Sequence, residues 1–383
     1  MSEPGSTNPV RLAIVGIHGH GHSHVVRAQH LQGTGEAVLV AVADLRPEQP
    51  GTLDASVREF TSLADLLAEV SVDVVVLCTP IHTHFELTAL ALESGADVLL
   101  EKPPVRSLQE FSELAELIRS TGRLCQVGFQ SLGSHAIAAI RERIAAGEIG
   151  EVVGVSASGC WVRTRDYWRR AAWAGKRVLN GIEVVDGVVT NPLAHAVATA
   201  LALAGATRAS QVASVDLDQY RANDIDADDT SVVRIRTTSG LPVTLALTLC
   251  AAERSEPSVT VQGTAGRIVF YYTLDLVQVF RDDRDPTTTT HDRARLLDDL
   301  VAHRRGAGRS LVCDFADTEG FTVVLDAVRR APDPKRMPEA SVVWVGEGGD
   351  AHAVVRDIEQ WVGRAGKEHR TFAELGAPWT TNQ

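Results

Sequence analysis

Hydrophobic positions in the first third of the chain form short apolar runs that alternate with segments of helical period. The apolar runs predict strands at residues 11–16, 37–43, 72–78, 97–100 and 124–127. Helical patterns lie between them, at residues 21–31, 62–69, 85–94 and 107–120. The runs are apolar at successive positions, which is typical of strands buried on both faces. This pattern predicts an α/β domain with a parallel sheet covered on both sides.

The pattern changes after about residue 128. Helices are predicted at residues 136–146 and 192–204, and strands at 151–161, 211–219, 231–237, 242–249, 258–262 and 267–272. Because these strands follow one another without helices, we expect a second, α+β domain with a large, mostly antiparallel open sheet. Residues 282–290 are predicted to be a surface loop. Residues 312–330 and 351–364 are predicted to be late helices that can pack on either domain.

The predicted organisation is therefore a loose polar tail over residues 1–9, a first domain over residues 10–128 and a second over residues 129–383. A formal charge of -12 without a basic run argues against nucleic acid or an anionic membrane as a partner. No apolar run reaches the roughly 18 residues of a membrane span, and the tail lacks the apolar region of a signal peptide. The five cysteines have no metal-ligand spacing, which favours reduced core residues in the cytoplasm.

A glycine-rich turn follows the first predicted strand and precedes a helix. It reads Gly16-Ile-His18-Gly19-His20-Gly21-His-Ser-His24. Backbone N–H groups at such a helix start can bind a pyrophosphate, so we expect these numbered residues to border a dinucleotide. The usual G-x-G-x-x-G spacing has glycine where this chain has His18. The alternative to a dinucleotide site is a tight strand-to-helix turn that binds no ligand. The histidines also suggest zinc, but a turn that must hold phosphate disfavours this, and we predict no metal.

Asp44 ends the second predicted strand, about 20 residues beyond the turn, where a carboxylate accepts hydrogen bonds from the adenosine ribose hydroxyls. It would repel a 2′-phosphate, which favours NAD. Arg46 lies close by and can hold that phosphate, so NADP stays open.

Three further residues follow the next predicted strand. Thr79 and Pro80 are expected to border the nicotinamide ribose, and His84 either joins them or caps the next helix.

Lys102 stands directly after the apolar run 96–100, between Glu101 and two prolines. Ligands of an open α/β sheet bind at the carboxyl ends of its strands, so its ammonium group is oriented toward the cofactor edge. There it can hydrogen-bond a substrate hydroxyl and stabilise an alkoxide. The alternative is an exposed lysine paired with Glu101.

The second domain offers a histidine and an aromatic, basic segment. Asn191 and His195 are predicted to lie one helical turn apart, with Pro192 at the first helical position. His195 can accept a hydroxyl proton. The alternative is a structural histidine whose ring is buried and hydrogen-bonded within the core. The candidate substrate-binding residues upstream are Tyr167, Trp168, Arg169, Trp173 and Asp186. An amphipathic interface helix is the alternative for this segment.

These residues in order resemble the glucose–fructose oxidoreductase/inositol dehydrogenase (Gfo/Idh/MocA) family. The most specific match runs from Asp73 through Cys78-Thr79-Pro80, His84 and Ala91-Leu-Glu-Ser-Gly95 to Glu101-Lys102-Pro103. Supporting matches are Gly16, Gly21 and His24, Arg169 with Trp173-Ala-Gly175, the segment of His195, Asp229-Thr230, Gly263 with Gly266, and Thr371-Phe-Ala-Glu-Leu-Gly. The similarity therefore spans nearly the whole chain.

The resemblance implies an N-terminal Rossmann domain and a C-terminal substrate-binding domain whose open sheet forms a homodimer or homotetramer. It implies NAD(P)-dependent oxidation or reduction of a sugar, cyclitol or related polyol. The family's catalytic lysine carries over to Lys102 and its histidine to His195. Many members have an acid one turn before that histidine. Here the position is Asn191, which can orient a hydroxyl but cannot carry negative charge.

We therefore expect His195 to take a hydroxyl proton while Lys102 stabilises the oxyanion, beside a nicotinamide that accepts hydride. Two other functions remain open on the same fold. One is a non-catalytic NAD-binding sensor or repressor. The other is an NAD-dependent glycoside hydrolase with no net redox change.

Overall fold

A computed structural model describes residues 8–46, 52–306 and 310–380, so residues 1–7 of the predicted tail lie outside it. Two compact units make up the chain. Unit 1 runs to Gly133 and includes Ala294–Thr318, and unit 2 comprises Ser134–Arg293 and the chain from Glu319 onward. Within the described ranges, no helix has the length and apolarity that crossing a bilayer requires.

Unit 1 is built on alternating strands and helices. They are β1 (Val10–Val15), α1 (His20–Gly33), β2 (Ala37–Ala43), β3 (Arg58–Phe60), α2 (Leu63–Glu69), β4 (Val74–Leu77), α3 (His84–Glu93), β5 (Asp97–Leu100), α4 (Leu108–Thr121) and β6 (Cys125–Val127). The strands form one parallel sheet in the order β3-β2-β1-β4-β5-β6. This is the doubly wound order of a Rossmann domain, with its topological switch point between β1 and β4.

Local sequence explains these elements well. Every residue of β4 and β5 is buried, as continuous apolar runs in a covered parallel sheet require. The Ser62 side chain accepts a hydrogen bond from Asp65 N at the start of α2, and Ser107 accepts one from Glu110 N at the start of α4. Each serine satisfies a donor that the first helical turn would otherwise leave unpaired.

Unit 2 contains a nine-stranded sheet and its helices. The elements are α5 (Ala136–Ala145), β7 (Val152–Cys160), α6 (Arg165–Arg169), β8 (Val178–Leu179), β9 (Ile182–Glu183), α7 (Ala194–Leu203), β10 (Val212–Arg221), β11 (Thr230–Thr237), β12 (Pro242–Thr248), β13 (Ser258–Gly263), β14 (Gly266–Tyr271), β15 (Leu276–Arg281) and β16 (Arg284–Thr290). After α8 (Leu296–Arg304), which belongs to unit 1, come α9 (Glu319–Arg330), β17 (Lys335–Arg336), β18 (Val342–Val345), β19 (His352–Val355), α10 (Ile358–Glu368) and α11 (Phe372–Leu375). The sheet order is β16-β15-β14-β13-β7-β12-β11-β10-β17, antiparallel except for the pairs β7–β12 and β10–β17. The predicted large, mostly antiparallel sheet is confirmed.

The nine-stranded sheet has helical elements on both faces. A Cβ on Gly159 of β7 would meet Leu193, just before α7, and one on Gly154 would meet His369, just after α10. Successive side chains of a strand point to opposite faces, so these two elements lie on opposite sides of the sheet. The α7 side is where His195 stands.

Several predicted elements differ from the structure. Residues 284–290 form the edge strand β16 rather than a loop, because a threonine-rich edge strand exposed on both faces lacks the alternation that identifies strands. Residues 352–355 form β19, not the start of a late helix, and α9 begins only at Glu319. The predicted second domain runs without interruption from residue 129, whereas residues 294–318 belong to unit 1 and place α8 against α1 and β5.

Candidate functional site

The glycine-rich turn after β1 is packed so closely that two of its positions admit no side chain. Gly16 has φ +80°, and a Cβ there would lie 2.5 Å from the Cys78 carbonyl oxygen. A Cβ on Gly21 would lie 1.8 Å from the Gly16 carbonyl oxygen. The first turn of α1 therefore comes directly against the end of β1. The N–H groups of a first helical turn can bind an anion, as a pyrophosphate site requires.

Asp44 fixes the other side of this turn. Its Oδ2 accepts a hydrogen bond from Ile17 N at 3.0 Å, and its Oδ1 accepts one from Arg46 N at 2.9 Å. The same carboxylate lines a cavity of about 470 Å³ at the ends of β2 and β3. The cavity residues are Ile17, Val42, Asp44, Leu45, Arg46, Glu59, Phe60, Thr61 and Asp65. Its position at the end of the second strand fits the adenosine half of a dinucleotide.

The carboxyl group of Glu101, at the end of β5, gathers several side chains around the turn. His24 Nε2 lies 3.2 Å from Glu101 Oε1, His20 Nε2 lies 3.3 Å from it, and Gln130 Nε2 donates to it at 3.2 Å. Burial opposes ionisation of Glu101, but the hydrogen bonds from His20 and His24 outweigh it and hold its pKa well below the usual range. In return, the hydrogen bond to Glu101 raises the pKa of His20.

This cluster is also the place in the turn where a metal ion would find ligands. The candidate ligand atoms of His20, His24 and Glu101 lie within 4.8 Å of one another. His18 stands apart from them, with its Nε2 3.2 Å from the Arg46 carbonyl oxygen. The cluster is already a hydrogen-bonded network that includes Gln130, a residue the sequence analysis did not single out.

Lys102 follows β5 as predicted, and its backbone N–H donates to Glu101 Oε2 at 3.2 Å. The nearby end of β4 carries Thr79 and Pro80, which are partly buried and exposed, respectively. Since β4 and β5 are adjacent parallel strands, these residues and Lys102 share the carboxyl edge of one sheet.

His84 is the first residue of α3 and is only 1% exposed. Its Nδ1 and Nε2 lie 2.8 Å from the carbonyl oxygens of Pro103 and Thr79. Burial lowers the pKa of His84, although the two carbonyl groups oppose this effect. The ring thus ties the turn after β4 to the turn after β5, beneath the surface where a cofactor would lie.

The segment that leads to His195 is a series of turns rather than the predicted helix start. Helix α7 begins at Ala194, so Pro192 is not its first residue, and His195 is partly buried in the first helical turn. Asn191 lies in the preceding turn, where its N–H donates to the Gly187 carbonyl oxygen at 3.1 Å. The hydrogen bonds of this turn replace the predicted extra turn of helix.

Asp186 is the anchor of this segment, with 3% exposure. Its carboxylate accepts hydrogen bonds from Asn191 Nδ2 at 2.5 Å, Gly175 N at 2.8 Å and Arg170 Nη2 at 3.0 Å. Val185, just before it, has φ +44°, a conformation that a β-branched residue rarely adopts. The network around Asp186 holds this strained backbone in place.

The aromatic, basic segment forms the short helix α6 and the turns after it. Tyr167 and Trp168 make an edge-to-face contact with ring centroids 5.0 Å apart. Arg169 is exposed and lies 3.9 Å from Asp166, whereas the Arg170 guanidinium stacks on the rings of Tyr167 and Trp173 at 3.8 and 4.5 Å. Of the basic residues here, Arg170 rather than Arg169 is therefore linked to Asp186 and the segment of His195. Lys102 belongs to unit 1 and His195 to unit 2.

Two family models match the chain in sequence. Residues 10–129 match "Oxidoreductase family, NAD-binding Rossmann fold", and residues 137–269 match "GFO/IDH/MocA C-terminal domain". The chain belongs to the Gfo/Idh/MocA family of oxidoreductases. The family membership inferred from Glu101-Lys102-Pro103 and the glycine-rich turn is thereby confirmed, and unit 1 is an NAD-binding Rossmann domain.

Relatives and solved structures agree with this assignment. The chain is 32% identical over 147 residues to scyllo-inositol 2-dehydrogenase (NAD(+)) of Bacillus subtilis, covering 38% of this chain and 42% of that protein. It is 29% identical over 191 residues to D-glucoside 3-dehydrogenase of Escherichia coli, covering 49% and 51%. The alignments thus span about half the length of these curated relatives or less.

Among solved structures, a levoglucosan dehydrogenase in complex with NADH and L-sorbose superimposes with a TM-score of 0.70 at 19% identity, covering 86% of this chain and 100% of that one. The WlbA dehydrogenase of Bordetella pertussis in complex with NADH and UDP-GlcNAcA superimposes with a TM-score of 0.69 at 23% identity, covering 84% and 96%. At these identities the likeness shows the shared fold.

Proposed function

We propose that this protein is an NAD-dependent oxidoreductase that transfers a hydride between nicotinamide and a secondary alcohol or ketone of a sugar, cyclitol or related polyol. The observation that carries the proposal is the double hydrogen bond that holds Asp44 at the mouth of the 470 Å³ cavity, beside the close-packed turn of Gly16 and Gly21. A dinucleotide needs such a carboxylate and such a turn at the same sheet edge.

The residues present in unit 1 fit NAD. The turn from Gly16 to Gly21 would hold the pyrophosphate, and Asp44 would accept the adenosine ribose hydroxyls. Thr79 and Pro80 would border the nicotinamide ribose. Bound NAD supplies the hydride acceptor for the reaction.

Carboxylates favour NAD over NADP in this cavity. Asp44, Glu59 and Asp65 line it together with a single basic residue, Arg46. A 2′-phosphate brought against three carboxylates would be repelled more strongly than one arginine could offset.

Lys102 has the role of holding and stabilising the reacting oxygen. Its backbone is fixed by Glu101, whose carboxylate is itself held by His24 and Gln130. We propose that its ammonium group donates a hydrogen bond to the substrate oxygen and stabilises negative charge on it during oxidation. His84 positions this turn from below and does not touch the substrate.

His195 is the proposed proton acceptor on the same oxygen. Its position in the first turn of α7 is set by the preceding turns, which Asn191 and Asp186 hold together. The Asn191 amide donates to Asp186 and helps to position the loop, and as a neutral amide it does not act as a proton carrier. Tyr167, Trp168, Arg169 and Trp173 are the proposed neighbours of the substrate ring.

Two properties of the whole protein are part of the proposal. The homodimer or homotetramer through the nine-stranded sheet stays a prediction, which light scattering of the purified protein would measure. A cytoplasmic location accords with the cysteines, all of which are free thiols and four of which are buried.

The experiment that tests the proposed function is NADH formation, followed by absorbance, across a panel of sugars, cyclitols and polyols. We expect turnover with NAD, and we expect it to fall by at least about a thousandfold in Lys102→Ala. Calorimetry should show that this variant still binds NAD. NAD binding without turnover on any member of the panel would favour the sensor. Release of a free sugar without net NADH would favour the glycoside hydrolase.

A further inference from the structure

Arginine and aromatic side chains alternate along one continuous row in unit 2. The members of this arginine–aromatic row are Arg254, Trp161, Arg163, Tyr167, Arg170 and Trp173. Each guanidinium carbon lies between 3.8 and 4.8 Å from the centroid of the ring it covers. Stacking of this kind removes the flat faces of a guanidinium from water and leaves its N–H edge available for hydrogen bonds.

The row is joined to the segment of the proposed catalytic histidine. Arg170 donates to Asp186, and Asp186 accepts from Asn191, which lies one turn before His195. All of these residues belong to unit 2, so the row and His195 are parts of one compact body. A ligand at the row therefore lies on the same domain as the proton acceptor.

The row contains three arginines, which are Arg163, Arg170 and Arg254. Arg170 is paired with Asp186. Among the residues that the structure describes, no carboxylate lies within 4.0 Å of the guanidinium nitrogens of Arg163 or Arg254. Two cations in this row are thus left without an anion from the described protein.

Three buried donors beside the row also lack acceptors. Arg163 Nε, Trp161 Nε1 and Trp168 Nε1 are inaccessible to solvent and have no hydrogen-bond partner in the described part of the chain. A buried N–H group without an acceptor is costly, and native proteins rarely leave one unless a ligand or water fills the role. All three groups are hydrogen-bond donors, and Arg163 also donates from Nη1 to the Val162 carbonyl oxygen at 3.0 Å.

We propose that the substrate carries an anionic oxygen group, a carboxylate or a phosphate ester, which Arg163 binds within the arginine–aromatic row. This specificity rests on the proposed function, because the anionic group belongs to the sugar or polyol that is oxidised. Arginine donates to carboxylate and phosphate oxygens with charge-assisted hydrogen bonds, which are stronger than neutral ones. Arg163 is therefore the residue that sets the choice between charged and neutral sugars.

The test measures thermal stabilisation of the NAD-saturated, full-length protein by three probes: D-glucose, D-glucuronate and D-glucose 6-phosphate. The two anions distinguish a carboxylate from a phosphate as the recognised group. We expect at least one anion to bind about tenfold to a hundredfold more tightly than D-glucose, the range for a charged hydrogen bond. Equal or weaker binding of both anions would overturn the proposal.

Variants separate recognition from a purely structural stack. Arg163→Gln should remove the anion preference, and Arg163→Lys should keep part of it because the charge remains. The matched control is Arg364→Gln, since Arg364 also stacks on an indole, that of Trp361 at 4.9 Å, but lies on α10 outside the row. The control should keep the preference. If Arg163→Gln lowered stability but kept the anion-to-neutral ratio of affinities, Arg163 would be structural and the proposal wrong.

The same data distinguish this proposal from the proposed function. Turnover of neutral sugars with no anion preference would leave the oxidoreductase intact and remove only the anion specificity. Arg163-dependent binding of an anion without NADH formation from any sugar would support anion recognition by Arg163 and contradict the oxidoreductase function.

Discussion

Asn191 donates a hydrogen bond from Nδ2 to Asp186 Oδ1 at 2.5 Å, and this contact fixes the turn that leads into His195. Asp186 also accepts from Arg170 and from the backbone of Gly175. The neutral amide therefore suits this position, because the place of a second carboxylate is already taken by Asp186. In this chain, the residue one turn before the histidine is a structural partner of an acid rather than an acid itself.

Replacing that amide with an acid should destabilise the protein in a pH-dependent way. In Asn191→Asp, two carboxyl groups would share the 2.5 Å contact, and both cannot be ionised there, so one folded-state pKa rises. A raised pKa means that the folded state binds more protons than the unfolded state. The stability of the variant relative to wild type should therefore fall as pH rises above about 4, by about 1–3 kcal/mol at neutral pH.

Urea denaturation at pH 4 and pH 7 measures this effect. Asn191→Ala, which removes the amide without adding charge, is the control and should show a loss of stability that does not change with pH. Equal losses for the two variants at both pH values would show that no repulsion between two carboxylates arises at this contact.

Asp44 should determine the choice of cofactor. Asp44→Asn keeps an oxygen acceptor for Ile17 N but removes the negative charge and the acceptors for ribose hydroxyls. The apparent affinity for NAD should fall about tenfold to a hundredfold, the range for hydrogen bonds to a charged group. The affinity for NADP should stay constant or improve. Kinetic constants for both cofactors check this, and an equal loss for NAD and NADP would show that Asp44 does not discriminate.

Two glycines of α1 form a matched pair for the nucleotide turn. In Gly21→Ala the new Cβ would meet the Gly16 carbonyl oxygen at 1.8 Å, so the turn must shift. NAD affinity should fall at least about tenfold, because the helix start no longer presents its N–H groups in place. Gly33→Ala has open space around its Cβ and should leave NAD affinity unchanged while raising stability by about 0.5–1 kcal/mol. Calorimetry measures the NAD affinity of both variants. Equal affinities would contradict the role of Gly21 in positioning the nucleotide turn.

Glu101 should contribute stability within a defined pH window. Its depressed pKa means that its contribution is present above the unfolded value of about 4.3 and is lost as pH falls below it. The raised pKa of His20 means that its contribution is present below about 6.5 and is lost as pH rises through its folded-state value. The partnership of Glu101 and His20 is therefore strongest between about pH 4.5 and 6.5.

Glu101→Gln should accordingly lose the most stability, about 1–3 kcal/mol, within that window and less on either side. Thermal melts from pH 3.5 to pH 8.5 would show the profile. Glu116→Gln is the matched control, because Glu116 is exposed on α4 and pairs with Arg119 in the same helix. If the loss of stability in Glu101→Gln did not vary with pH, Glu101 would stabilise the protein through packing rather than through its charge.

Local signals in the sequence predict the positions of those candidate site residues that depend on local structure. Gly16, Gly21, Asp44 and Lys102 follow apolar runs, and the carboxyl ends of parallel strands bring such positions to one edge. The helices predicted from residues 62 and 107 begin at Leu63 and Leu108, after the caps Ser62 and Ser107, because a cap acts within one helical turn.

Residues whose role depends on distant partners could not be predicted in this way. Gln130 reaches Glu101, and Glu59 lines the adenosine cavity from the three-residue strand β3, which is too short to show a pattern. The return of α8 to unit 1 rests on packing and on the ion pair of Arg27 with Asp298, 271 positions apart. Arg163 and Arg254 meet at Trp161 only through the tertiary fold.

The most direct test of the proposed chemistry is a crystal structure with NADH and a substrate identified by the panel. It would measure the distances from Lys102 Nζ and from the nearer ring nitrogen of His195 to the reacting oxygen. We expect both atoms to lie within about 2.6–3.2 Å of that one oxygen, beside the nicotinamide. Either side chain remote from the oxygen, or turned away from the nicotinamide, would contradict it.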